Sequence, residues 1–132
     1  GVKDSSYNLF ENLKLENFSL MPGSESKLLK GLELGCTGII TATCNVTVQL
    51  ARRVYDDFVS GKNQIYNQKL IDVRNEFEKY NLISALHTFK SKEDKIYTNL
   101  LPPLDVLNEV DDKNLMQNLK KLDFQLNSKL AA

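Results

Sequence analysis

The chain has 132 residues, 42% of them hydrophobic and 26% charged, a globular composition long enough to bury most of its apolar side chains and unlike a disordered segment. Lys plus Arg and Asp plus Glu each number 17, so there is no net field to draw nucleic acid or an anionic membrane. No apolar run approaches the ~20 residues of a membrane span, and no signal-peptide pattern is visible.

Gly1 to Lys3 reads as the end of a strand, with no initiator Met before it, so the chain reads as a piece of something larger. Ser5 or Ser6 can cap a helix carrying Leu9, Phe10 and Leu13. Phe18 to Met21 is a second strand, stopped by Pro22-Gly23. Ser24 caps a helix with Leu28, Leu29, Leu32 and Leu34, and Gly35 ends it. Gly38 to Thr41 is β-branched and apolar enough for a third, buried strand. Strand, helix, strand, helix, strand implies parallel, right-handed crossovers.

Helices fill the rest. Val48, Ala51, Val54, Tyr55 and Phe58 mark one face of a helix closed by Gly61, and Tyr66, Leu70, Val73, Phe77 and Tyr80 step by four and three through the next. A shorter helix holds Ile83, Leu86 and Phe89, and an extended stretch runs from Lys92 to Pro102-Pro103. Asp111 or Asp112 caps a last helix striped by Leu115, Leu119, Leu122, Leu126 and Leu130. Three parallel strands alone leave unpaired edges and uncovered faces. The pattern therefore fits an α/β fold made of the last three βα units of a TIM (β/α)8 barrel, residues 1–61, followed by a C-terminal helical domain, residues 62–132.

Lys3 is the first candidate for chemistry. An ordinary lysine amine titrates near ~10.4 and is a poor nucleophile at neutral pH, whereas desolvation in a barrel mouth frees its lone pair to attack a ketone. The plain alternative is a surface lysine at a strand end. Cys36 and Cys44 lack metal-ligand spacing, and two free thiols fit a reducing, cytoplasmic compartment. Cys44 has no histidine near it in sequence to activate it. His87 is the only histidine and lies on a helix beside apolar neighbours, which favours a packed or surface role over a catalytic one. Lys120-Lys121 reads as a solvated helix face.

The order of landmarks is more specific. Gly1-Val2-Lys3-Asp4 is followed by Met21-Pro22-Gly23-Ser24-Glu25, then Leu34-Gly35-Cys36-Thr37-Gly38-Ile39-Ile40-Thr41, then Asn45-Val46. This succession resembles the dihydrodipicolinate synthase / N-acetylneuraminate lyase family of class I Schiff-base aldolases. Ile83 to Leu86 and Leu101 to Leu104 match that family's later segments weakly.

The resemblance implies that Lys3 forms an imine with pyruvate or another 2-keto acid. It places Gly23 and Glu25 on a substrate-lining loop, and Ile40 and Thr41 where a backbone carbonyl and a hydroxyl face the imine. Asn45 holds the loop. No cofactor or metal is implied, since the iminium is itself the electron sink, and the family forms dimers and tetramers. Condensation of pyruvate with aspartate semialdehyde is the favoured chemistry. A 2-keto-3-deoxy sugar acid aldolase or N-acetylneuraminate lyase is the alternative, although Ser26 and Ala42 depart from the sialic-acid branch.

The family's proton-relaying tyrosine and its Gly-(Thr/Ser)-Thr-Gly-Glu loop do not occur in this sequence, so the chain by itself is expected to be inactive. A reading of another class is a non-enzymatic helical interaction domain.

Overall fold

The computed structural model describes residues 1–6 and 8–125. It divides into two compact units, Gly1–Ile71 and Asp72–Ala132.

The first unit opens with strand β1 (Val2–Asp4), which pairs in parallel with β2 (Leu20–Pro22), so that Val2 faces Leu20, Lys3 faces Met21 and Asp4 faces Pro22. A one-turn helix α1 (Leu9–Asn12) lies between them in sequence. Val2 packs on a cluster of Phe10, Leu20 and Cys36, together with Leu13 and Leu34. Strand side chains alternate, so Val2, Asp4, Leu20 and Pro22 share this helix-side face, and Lys3 and Met21 share the other.

The expected cap of α1 is different in the structure. Neither Ser5 nor Ser6 holds the helix start; Asp4 does, from the end of β1. One of its carboxylate oxygens accepts the Leu9 and Phe10 amides at 2.9 and 3.0 Å, and the other accepts the Ser6 amide and hydroxyl at 3.0 and 2.7 Å. A carboxylate has lone pairs enough for all four, and a hydroxyl does not.

Beyond β2, Ser24 caps a 3₁₀ turn (Glu25–Lys27) as expected, and this leads into α2 (Leu28–Glu33). The helix closes with the Gly35 amide on Leu32 O at 3.0 Å and the Cys36 amide on Gly31 O at 2.8 Å. Gly35 stands at φ +90°, and no atom lies within 4 Å of a Cβ placed there. This is a Schellman end, which needs a residue that tolerates the left-handed region. Gly35→Ala should therefore cost about 1 kcal/mol through backbone strain alone, read as a shift of the urea midpoint at constant slope.

Residues 36–41 run beside β2 but do not form the expected third strand. The Thr37 amide reaches Leu20 O at 3.3 Å and the Ile40 amide reaches Pro22 O at 3.1 Å. Three residues on one side thus span two on the other, a bulge-like mismatch that breaks the ladder. Among the described residues the sheet has two strands.

Helix α3 (Cys44–Val59) follows, ending at Gly61 as expected. Its buried face carries Thr47, Leu50, Ala51 and Val54, whereas Val48 is 58% exposed. The expected Ala51 and Val54 are thus buried, and the expectation fails at Val48, whose place on the buried face Thr47 takes.

Helix α4 (Asn67–Glu78) contains the division between the units, and the expected Leu70, Val73 and Phe77 are fully buried. In the second unit, α5 (Leu82–Lys90) is capped by Asn81 and α6 (Glu109–Lys121) by Asn108, not by Asp111 or Asp112. Asn108 accepts the Val110 and Asp111 amides, both at 3.0 Å. The Phe89 ring meets Phe77 edge-on and stacks on Phe124. Between these helices the expected extended stretch contains a 3₁₀ turn (Lys95–Thr98). Leu115 and Leu119 are buried as expected; Leu126 and Leu130 lie outside the described residues.

Candidate active site

The carboxyl ends of β1 and β2 and the segment beside them bring the predicted residues into one neighbourhood of the first unit. Lys3 is exposed, on the face of β1 turned away from the helices. Gly23 follows β2, and its amide donates to Asp4 O at 2.9 Å. A Cβ at position 23 would stand 3.3 Å from Lys3 Cε and 3.1 Å from Ser5 Oγ. The absence of a side chain there leaves room for the lysine stem. Ile40 is 46% exposed, with its amide tied to β2.

Glu25 is fully buried. Its Oε1 accepts the Thr41 hydroxyl at 2.6 Å and the Thr47 hydroxyl at 3.0 Å. Thr41 Oγ1 in turn accepts the Cys44 amide at 3.1 Å, at the start of α3. Glu25 thus joins the turn after β2, the end of the 36–41 segment and α3. Thr47 is the residue of this group that sequence reasoning missed. The available signal is a polar residue beside an apolar helix face, which by itself reads as the solvent side.

Burial chiefly pushes the Cys44 thiol up, and the Glu25 charge adds to that, against hydrogen bonds from Thr41 and Thr47 that lower it. A thiol held in this way is a poor nucleophile, in keeping with the sequence reading. Asn45 holds the loop, donating its amide to Ala42 O at 2.8 Å. In the second unit the ring of His87 shares a hydrogen bond with Tyr97 O at 2.8 Å and lies edge-on to the Tyr97 ring, a packed role.

A concavity of about 360 Å³ lined by Leu15, Phe18, Leu20 and Leu34 lies at the amino-terminal end of β2 and includes none of the predicted residues. Among the described residues no group of acidic, Cys or His side chains could hold a metal ion, and no helix is long and apolar enough to cross a membrane.

A family model described as the dihydrodipicolinate synthetase family matches residues 1–122. No curated protein matches by sequence. Solved structures are similar in fold. A putative dihydrodipicolinate synthase from Thermus thermophilus aligns with a TM-score of 0.75 and 24% identity, over 96% of this chain and 47% of that one. Dihydrodipicolinate synthase from Aquifex aeolicus gives 0.75 and 20%, over 95% and 45%. A prophage protein of the dihydrodipicolinic acid synthase family from E. coli K12, in complex with pyruvate, gives 0.65 and 20%, over 81% and 38%. The chain spans less than half the length of each of these structures.

Proposed function

We propose, because this chain belongs to the dihydrodipicolinate synthetase family, that it carries the imine-forming part of a class I aldolase-type lyase acting on pyruvate or a related 2-keto acid. Residues 1–61 then correspond to the last three βα units of the barrel, with residues 36–41 standing where the third strand would be and not forming one, and residues 62–132 to its helical tail. The observation that carries the reading is the placement of Lys3. It stands on a parallel strand, on the face opposite the helix layer, with Gly23 leaving space beside its Cε. In a closed barrel that face is the interior, and strand carboxyl ends are where such folds keep their chemistry.

The Lys3 amine attacks the ketone carbon. A C=N bond forms, and the ketone oxygen leaves as water. The iminium then accepts the electron pair of a neighbouring C–H or C–C bond, so that a proton or an aldehyde can depart. Ile40 and Thr41 line the same rim. Glu25, being buried, acts on substrate through Thr41. Lys3 is exposed within this chain, so the desolvation that activates a lysine has to come from whatever covers the Lys3–Met21 face. Condensation with aspartate semialdehyde is the favoured overall reaction, with a sugar-acid aldolase second, in a cytoplasmic dimer or tetramer.

Borohydride reduction in the presence of pyruvate tests the assignment. One stable adduct should map to the peptide containing Lys3 and be absent in Lys3→Arg. An unmodified Lys3, or labelling spread evenly over the lysines, would remove it.

A further inference from the structure

Helix α3 buries Thr47, Leu50, Ala51 and Val54 on one side, whereas Val48 and Val59 are 58% and 65% exposed. At ~100° per residue, Val48, Arg52, Tyr55 and Val59 lie within about 60° of one another around the helix. They form one outward stripe, apolar at both ends, with the exposed Arg52 and the half-buried Tyr55 between.

The steps along this stripe are four, three and four residues, so it reads the same from either end. When two such helices run antiparallel, a twofold axis midway between Arg53 and Val54 sets Val48 of one copy against Val59 of the other. The same axis sets Arg52 against Tyr55 of the second copy. Apolar side chains then meet apolar side chains, and a guanidinium meets an aromatic ring. A parallel pair in register would instead set Arg52 against Arg52.

The charges fit the same arrangement. Arg52 holds Asp56 one turn further on at 2.7 and 3.0 Å, and its guanidinium carbon lies 5.0 Å from the Tyr55 ring centroid. Both members of this ion pair are more than half exposed, so in one copy it contributes little. In the antiparallel pair Asp56 of the second copy stands one position from the point opposite Arg52. Two guanidiniums and two carboxylates then alternate around the axis. A stripe of one sign would repel its own copy, and this one carries both.

We infer that the Val48–Val59 stripe of α3 is an interface between two copies of this chain, packed as an antiparallel helix pair about a twofold axis at its centre. Lys3, on β1, takes no part in it. A helix of 16 residues is ~24 Å long, and one such contact is smaller than a standard interface. The dimer should therefore be weak, with a midpoint at roughly 10–100 µM.

Sedimentation equilibrium of the full chain, from micromolar to near-millimolar concentration, should show a 15.0 kDa monomer passing into a dimer. Val48→Lys and Val59→Glu each set a charge against a valine at both ends of the pair, and each should raise the midpoint by about 10-fold or more. Mixed in equal amounts, the two variants should dimerise near the parent midpoint. Opposite charges then face each other at one end, and valine faces valine at the other. Both positions are exposed, so the urea midpoint of each variant should match the parent, which separates lost association from lost folding. A monomer at every concentration, a dimer that neither variant weakens, or two weakened variants that do not recover on mixing would each overturn the interface.

Discussion

Asp4→Ala should cost about 3–5 kcal/mol, a large share of the ~5–15 kcal/mol that holds a domain together. The reason is the number of donors that one side chain serves. Among the described residues Ser6, Leu9 and Phe10 all donate to a carboxylate that is 2% exposed, and the last two bonds join the end of β1 to the first turn of α1. Truncation orphans the Leu9 and Phe10 amides, and Phe10 is part of the core beneath the sheet.

Asn is no remedy. Each Asp4 oxygen faces donors, so an amide NH₂ in place of either oxygen meets an N–H. Asp4→Asn should therefore fall nearer to Ala than to the parent in urea unfolding. A parent-like midpoint for Asn would show that the two oxygens are not both needed.

The same group sets an acid limit. Burial pushes the Asp4 carboxyl up, but the hydrogen bonds from Ser6, Phe10 and Leu9 outweigh it and hold the value below the usual 3.8. Its folded-state value is thus depressed, and the stability it contributes is fully present above the ordinary aspartate value. That contribution is lost as pH falls through the lower folded value. Asp4→Ala should flatten the acid limb of a stability–pH curve as well as lower it. The nearby Cys36 thiol is raised chiefly by burial and further by the Asp4 charge.

Much of the fold was legible because the signals were local. Gly35 and Gly61 announced helix ends that only a positive-φ residue makes easily, and Leu70, Val73, Phe77, Leu115 and Leu119 announced buried faces by spacing. What was missed depended on contacts distant in sequence or on a competition between equivalent residues. Asp4 caps α1 by reaching across a bend, which composition cannot distinguish from capping by Ser5 or Ser6. Gly38 to Thr41 has strand composition, yet its register against β2 slips by one residue. On helix α3 the expected Ala51 and Val54 are buried, but Thr47 meets Glu25 and Val48 is turned outward. A pattern of apolar residues alone puts Val48 on the buried face and leaves Thr47 out, because the interior partner is a carboxylate 22 residues away.

That carboxylate is the second place where a single change should have a large effect. Glu25→Ala is expected to cost about 2–4 kcal/mol, from a cavity in a fully buried site and from the Thr41 proton left without its acceptor. The Thr47 proton retains Thr43 O, so the loss should fall mainly on the 36–41 segment and on Thr41. Glu25→Gln keeps the shape and can offer one amide oxygen to both hydroxyls, and so should be milder.

Hydrogen exchange distinguishes this from a general loosening. The Cys44 amide, bonded to Thr41 Oγ1, should lose protection strongly in Glu25→Ala and weakly in Glu25→Gln, while the Leu34 and Gly35 amides at the end of α2 keep theirs. Equal protection at Cys44 in all three proteins would mean that the carboxylate does not organise the rim. The tie from Glu25 to Thr41 would then be incidental to the placement of the 36–41 segment beside β2.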